Sequence, residues 1–352
     1  MVDWLQSMIQ TYEYYIVDPV TWRDTERIDT VKSCTINRDA DAETLGSASF
    51  SIDNFSEEAY IRVYLITIQN GVTEKHPLGT FLVQTPKLNF NGSISSYDID
   101  AYTPLIELKE SNPPIGYSIL KGENVMDNVY RITRENLRAP VVEPDDRTKL
   151  FSDFISSPDE NWISFLYDLM GNAKYKYDLD EMGRVLFAPI QDITSLQYVW
   201  IYNDDNSSIL CPEITVDKDL YGVPNVIEIV YSNGVSNLYS RIVNDDKSSP
   251  ISTVNRGREI VHRVTDLQLG GIPTQKQLDE YAVKLLKSLS SIECKVTYSH
   301  GYCPVRLGDC VLLNYSRAGL NNVKAKVTSQ SIKCVSGCTV NETAVFTSNL
   351  WR

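Results

Sequence analysis

The chain has 352 residues, 42% hydrophobic and 22% charged, which gives it the material for a real core and more length than one domain usually takes. A net charge of −13 argues against a surface built to grip nucleic-acid phosphates, although an acidic wall would let a polyanion slide past without sticking. No run of eighteen apolar residues is present to span a membrane as a helix, and "MVDWLQSMIQ" lacks the basic and apolar segments of a secretion signal.

The first hundred residues read as β structure. "RIDTVKSCTINRDA" and "SASFSIDN" alternate apolar and polar residues around Gly46. "YIRVYLITIQNGVTEKHPLGTFLVQTPKLNF" reads as two strands joined at Gln69-Asn70-Gly71, an Asn-Gly hairpin signal, and "SSYDIDAYTP" continues the alternation. Asn112-Pro113-Pro114 then marks a change of segment. In "GENVMDNVYRITREN", Val125, Val129 and Ile132 share a helical face. "SPDENWISFLYDLMGN" predicts a second helix, with Ser157 as cap, Pro158 in the first position and Glu160 closing a capping box. Its apolar face is Trp162, Phe165, Leu166, Leu169 and Met170, and Gly171 is its expected stop. "YKYDLDEMGRVLFAP" reads as two short strands around a turn at Gly183.

The last third returns to strands, beginning with "VPNVIEIVYSNG". One helix interrupts them, with Thr274 as cap, Gln277 in the capping-box position and Ile272 placed to staple onto Leu278. Its stripe is Leu278, Tyr281, Ala282, Leu285, Leu286 and Leu289. "IECKVTYSHG" then alternates Ile292, Cys294, Val296 and Tyr298 inward, followed by strands in "DCVLLNY" and "VKAKVTSQSIKCV".

Candidate sites can be weighed from residue type and spacing. His300, Cys303 and Cys310, with Cys334 and Cys338 downstream, could supply five zinc ligands, but Cys303 and Cys310 are too far apart for one knuckle and Cys310 lies at a strand start beside Val311. Cys294 and Cys310 read as small core residues. Seven Cys (34, 211, 294, 303, 310, 334 and 338), an odd number without a secretion signal, suit reduced thiols better than a disulfide framework. A Cys–His nucleophile would have to use one of three His: His76, expected in a hairpin loop, His262, expected on a strand in "REIVHRV", or His300. "DLDEMG" resembles the opening of a calcium loop, but Met182 and Pro189 stand at ligand positions, so a plain hairpin turn is expected. The pairs Asp145-Asp146, Asp204-Asp205 and Asp245-Asp246 read as loop residues, and catalytic carboxylates would be recognised only by a separation in space. No phosphate-binding loop is present, "GLNNVKAK" reading as a turn. The 21 Tyr suit half-buried sheet positions, and secondarily interfaces or sugar-binding faces. No catalytic, cofactor or metal residue is assigned, and no cofactor is expected.

The order of the pieces carries more than any one of them. An N-terminal sheet precedes "W-x-x-F-L-x-x-L-x-G-x-x-Y-x-Y-x-x-D-x-x-G-R-V", then "VPNVIEIVYSNG", "GREIVHRV", an Ala/Leu-rich helix and "LGDCVLLNY". This series, strongest from Asn161 to Tyr315, resembles the baseplate hub (tail hub) proteins of bacteriophages and phage-tail-like particles. The resemblance implies an α+β, mainly β fold: two tube-like antiparallel β-barrel or sandwich domains with an inserted mixed α/β domain. The expected division is 1–110, 111–222 for the insert, and 223–352 with one packed helix. Val223-Pro224-Asn225 would open a strand returning to the tube-like domains, Leu278–Leu289 would pack on the barrel, and Gly308-Asp309 would turn into a closing strand. Such hubs are homotrimers whose pseudo-sixfold ring adapts the tail tube to a central spike or tail fibre. Their implied partners are copies of the same chain, the tail tube protein, the spike or fibre, the tape-measure protein and other baseplate proteins. DNA would pass the lumen without specific binding, and no membrane insertion is implied. The implied location is the virion tail baseplate, after assembly in the host cytoplasm. The chain stops at Arg352 with no appended peptidase, lysozyme or fibre domain, so any wall-cutting activity is expected on another chain. Competing readings are a cell-wall hydrolase or Cys peptidase, and a receptor-glycan-binding tail component.

Overall fold

The computed structural model describes residues 2–351 apart from 54, 56, 91, 94, 207, 233–236, 266 and 268–272. Strands β1 (Ile9–Val17), β2 (Asp24–Arg27), β3 (Val31–Asp39), β4 (Gly46–Ile52), β5 (Tyr60–Gln69), β6 (Val72–Phe90) and β7 (Ser95–Tyr102) come first. A helical stretch follows: α1 (Ile106–Glu110), β8 (Ser118–Ile119), α2 (Val125–Asn136), β9 (Phe154–Ile155), α3 (Trp162–Gly171), and the hairpin β10 (Tyr175–Leu179) and β11 (Val185–Pro189). Next are β12 (Tyr198–Asn203), β13 (Leu210–Lys218), β14 (Val226–Ser232), β15 (Asn237–Val243), α4 (Thr253–Arg256), β16 (Val261–Val264) and α5 (Gln275–Leu289). The chain finishes with β17 (Ser291–Gly301), β18 (Cys310–Tyr315), β19 (Leu320–Lys333) and β20 (Thr339–Asn349). The fold is α+β and mainly β.

The strands from the two ends of the sequence share one 13-stranded sheet, ordered β13-β17-β20-β19-β3-β4-β7-β6-β5-β1-β2, with β18 also pairing β19 and β12 pairing β18. The seam is β19 against β3, antiparallel from Ser329↔Asp39 to Lys333↔Thr35. The β5–β6 hairpin closes at Gln69↔Val72, with Asn70 at φ 52° and Gly71 at φ 78°. Two consecutive left-handed residues match the twist of the strands, which is why Asn-Gly stands there. Alternate residues of these strands form one core, including Ile36, Phe50, Ile61, Val63, Leu65, Ile99 and Ile332.

The chain divides into two compact units, Met1–Ile214 with Thr297–Thr343, and Thr215–Val296 with Ala344–Arg352. This cuts the sequence differently from the stretches 1–110, 111–222 and 223–352, because the strands at 297–343 belong with the N-terminal sheet.

Within the first unit, α2 and α3 bury Val125, Val129, Ile132, Trp162, Phe165, Leu166, Leu169 and Met170 in a second core. The start of α3 differs from the sequence expectation. Its cap is Asn161, whose side chain accepts from the Ser164 amide at 3.0 Å, while Ser157 and Glu160 form a separate turn outside the helix. The Trp162 amide donates to Ser111 O at 2.9 Å, a tertiary bond that sets the first helical residue. Gly171 is the last helical residue, and the left-handed position falls on Lys174 at φ 57°.

The "DLDEMG" turn is a hairpin turn, with Asp180 N bonded to Arg184 O and Gly183 N to Asp180 O. Met182 O accepts from Trp22 Nε1 at 2.8 Å and Arg62 Nη2 at 3.0 Å, which ties the hairpin to β5. Gly183 has φ 76°, and a Cβ there would lie 2.7 Å from Thr80 Cβ and 3.2 Å from the Trp22 ring. Conformation and contact both exclude a side chain. Gly183→Ala should therefore cost about 2–4 kcal/mol in urea unfolding, from left-handed strain plus overpacking. A loss under about 0.5 kcal/mol, the usual surface effect, would contradict this docking.

In the second unit, the strand that follows Val223-Pro224-Asn225 is the centre of a three-stranded sheet ordered β15-β14-β16. Helix α5 covers one face, packing Leu278, Ala282 and Leu286 on Ile227, Ile229 and Tyr231. Its capping box is formed by Thr274 and Gln277 as the sequence indicates. Tyr281 departs from the expected stripe at 38% exposed, and Ile272, the expected staple, lies outside the described residues. No described helix is long and apolar enough to cross a membrane.

Candidate functional site

The His- and Cys-bearing segment builds a sealed polar cluster. His300 and Tyr298 on β17, Tyr202 on β12, Glu342 on β20 and Cys303 are each at most 2% exposed. His300 Nδ1 lies 2.6 Å from Gly301 O, and a carbonyl only accepts, so Nδ1 carries a proton. Nε2 faces the Tyr202 hydroxyl at 3.1 Å and Glu342 Oε2 at 3.5 Å. Glu342 also accepts from Tyr298 OH at 2.5 Å and Gln330 Nε2 at 2.6 Å. Burial pulls the imidazole pKa down, but contact with Cys303 and the Glu342 carboxylate outweighs it and pushes His300 up to about 10. The pair is thus a buried imidazolium and carboxylate.

Cys303, His300 and Glu342 are the types a thiol nucleophile would use, yet the arrangement opposes that chemistry. Cys303 Sγ is 3.9 Å from Nδ1, whose proton is directed at Gly301 O, and the thiol also contacts Tyr202 OH at 3.3 Å. A nucleophile this deeply buried has no approach for a substrate. The other cysteines lie elsewhere. Cys334 and Cys338 sit with Cys34 in the β-sheet core, where burial raises the Cys34 thiol and pushes Cys338 up to about 12. Cys310 is buried at the start of β18, and its thiol is raised by burial. All seven thiols are free, and no described group of three or more His, Cys, Asp or Glu is arranged to hold a metal ion. His76 is in β6 opposite Leu65 rather than in a loop, bonded to Thr67 Oγ1 and edge-on to Trp4. His262 is on the short strand β16.

From this cluster a chain of hydrogen bonds leads to an open cleft. Gln330 Nε2 donates to Glu342 and Val305 O, its Oε1 accepts from Arg38 Nη1 at 3.0 Å, and Arg38 Nη2 donates to Leu78 O at 2.7 Å. Arg38 lines a cleft of about 220 Å³ within the first unit, walled by β3, β6, the β10–β11 hairpin, the Arg306–Asp309 turn and Lys326. Four carboxylates line it, Asp178, Asp180, Glu181 and Asp309. Arg306 gathers three of them: Nε is 2.9 Å from Glu181, Nη2 is 3.7 Å from Asp178 and 2.5 Å from Leu179 O, and its amide donates to Asp309 at 2.8 Å. Burial raises the Asp178 and Asp309 carboxyls, with Arg306 opposing in both. These acids are tied to arginine and backbone rather than left flanking a reaction space. Of the acidic pairs considered in the sequence, Asp204 holds Arg317, while Asp146 and Asp246 cap the Thr148 and Ser248 amides. The sequence did not single out Arg306, Lys176 or Lys326, which lie far apart in it and in no motif; Gly308 in "RLGDC" was the one local hint of a turn.

No family model and no curated protein matches the sequence. Solved structures do. The tail protein from Neisseria meningitidis MC58 aligns at TM-score 0.60 and 12% identity over 97% of this chain and 98% of its own. The prophage MuSo2 43 kDa tail protein from Shewanella oneidensis aligns at 0.59 and 10% over 95% and 98%. Prophage tail protein gp18 from Listeria monocytogenes EGD-e aligns at 0.50 and 13% over 96% and 95%. The chain has the fold of these phage tail proteins.

Proposed function

We propose that the chain is a structural protein of a phage or phage-like tail, working as the homotrimeric hub of the baseplate. In this reading three copies form a ring that adapts the sixfold tail tube to a threefold spike or fibre. The tape-measure protein and then DNA pass through its lumen, and other baseplate proteins attach outside. The chain is assembled in the host cytoplasm and resides in the virion tail. The observation that carries the reading is a likeness to tail proteins that runs through nearly the whole of both chains rather than one module. Two features support a role in shape rather than reactivity: the thiol and imidazole at 300–303 are sealed, and the cleft acids are paired. The net charge of −13 suits a passage for DNA that must not hold it.

Light scattering on the purified chain mixed with tail tube protein should give a complex whose mass includes three copies of this chain, and a peptidoglycan zymogram should show no clearing. A lasting monomer in that mixture would overturn the trimeric hub. Clearing abolished by Glu181→Gln or Cys303→Ser would establish an enzyme instead.

A further inference from the structure

The cleft contains two cations that the protein does not satisfy. Its four carboxylates are matched: Asp180 receives the Arg184 amide and guanidinium, Glu181 and Asp178 face Arg306, and Asp309 receives the Arg306 amide. Arg38 is bonded to Leu78 O and Gln330. That leaves Lys176, on β10 opposite Ala188, and Lys326, on β19 opposite Cys310. Neither ammonium has a hydrogen-bond or ion-pair partner among the described residues. Asp178, two residues along β10, exerts a pull on Lys176, but its Oδ1 accepts from the Leu179 amide and its Oδ2 faces Arg306. Burial and the charge of Lys176 together lower the Lys326 ammonium. Ala188, which shares the Lys176 face of the hairpin, and Pro189 and Leu196 add an uncharged stretch to the cleft wall. Two like charges, half-buried, close enough to repel and facing one cavity, are stabilised by an anion between them.

We propose that this cleft is a binding site for a compact organic anion, its carboxylate or phosphate group held between Lys176 and Lys326 and its apolar body against the Ala188–Pro189–Leu196 wall. A volume of about 220 Å³ falls just below the ~300–1,000 Å³ of drug-sized pockets, so the occupant is small. This site is independent of the hub reading, since it concerns one chain and needs neither ring nor lumen.

The test is calorimetric titration of the full chain with benzoate, phenyl phosphate, inorganic phosphate and benzyl alcohol. Benzoate or phenyl phosphate should bind saturably at millimolar concentration or below; which of the two is tighter tells carboxylate from phosphate. Benzyl alcohol, which has the body without the charge, should not bind, and inorganic phosphate should bind more weakly than phenyl phosphate. Lys176→Gln and Lys326→Gln should each weaken binding about tenfold or more, as for loss of one hydrogen bond to a charged group. Both should hold the native thermal midpoint or raise it slightly, because each removes a repulsion, and the exposed-site control Lys121→Gln should bind as the native chain does. Absence of saturable binding by both aromatic anions, or binding that survives both lysine changes, would overturn the site.

Discussion

Arg62→Met is expected to lower the stability of the chain by about 3–5 kcal/mol, the range for removing one partner of a buried ion pair. Arg62 is 1% exposed on β5, yet it carries a full charge into the seam between the sheet and the β10–β11 turn. Its guanidinium reaches Asp24 at 2.7 Å, Thr80 Oγ1 at 2.9 Å and Met182 O at 3.0 Å, with Trp22 O at 3.5 Å. Met fills most of the volume but leaves Asp24 with Tyr64 OH, and strips Thr80 Oγ1 and Met182 O of this donor. Unsatisfied groups left behind cost more than the bond itself was worth, which is why the loss exceeds that of a surface pair. The check is the urea midpoint at unchanged m, so that the shift reads as stability. A change below about 1 kcal/mol, the surface-pair value, would mean that the pair is far better solvated than its burial indicates.

The second large effect is expected at Glu342, which is 0% exposed. Glu342→Leu leaves the His300 imidazolium without its counter-charge and Tyr298 OH and a Gln330 N–H without their acceptor, and should also cost about 3–5 kcal/mol. Glu342→Gln keeps the shape and removes the charge, so it isolates the electrostatic part through pH. His300 rises from 6.5 to about 10 in the folded chain. A group raised in this way binds its proton more tightly when folded, so its contribution is complete below pH 6.5 and disappears as pH rises through about 10. The native chain should lose stability across that window, and Glu342→Gln should show a flatter profile because the imidazolium has lost its counter-charge. Urea unfolding from pH 6 to 10 compares the two slopes, and other groups titrating there cancel in the difference. Equal slopes would show that the Glu342 charge does not hold the proton on His300.

Local signals are legible in the sequence because local chemistry decides them. Asn70-Gly71 had to turn left-handed, and Thr274 with Gln277 had to cap a helix, whatever lay around them. The misreadings sit where distant residues intervene. Ser157 and Glu160 have the right spacing for a cap, but the bond from the Trp162 amide to Ser111 O starts α3 one turn later. Tyr281 has the right helical phase, but nothing in the second unit covers it fully. In the sequence, Pro77 after His76 points to a loop, but the Asn-Gly turn has already closed and the strand resumes at Val72. The seam of β19 on β3 and the meeting of Lys176, Arg306 and Lys326 are set by topology, and no local pattern encodes a pairing across nearly three hundred residues. The Cys and His near residue 300 were visible as a cluster in sequence, but only burial distinguished a sealed ion pair from a reactive one.

In the proposed reading the chain serves by shape, as a ring at the end of a tail. Averaged electron-microscope images of tail particles containing this chain, labelled by an antibody fragment, test it most directly. A trimeric hub should show three labels around an open lumen at the end of the tube that carries the spike or fibre. Labels along the tube wall, at the head-proximal end, or on a solid density without a channel would contradict it.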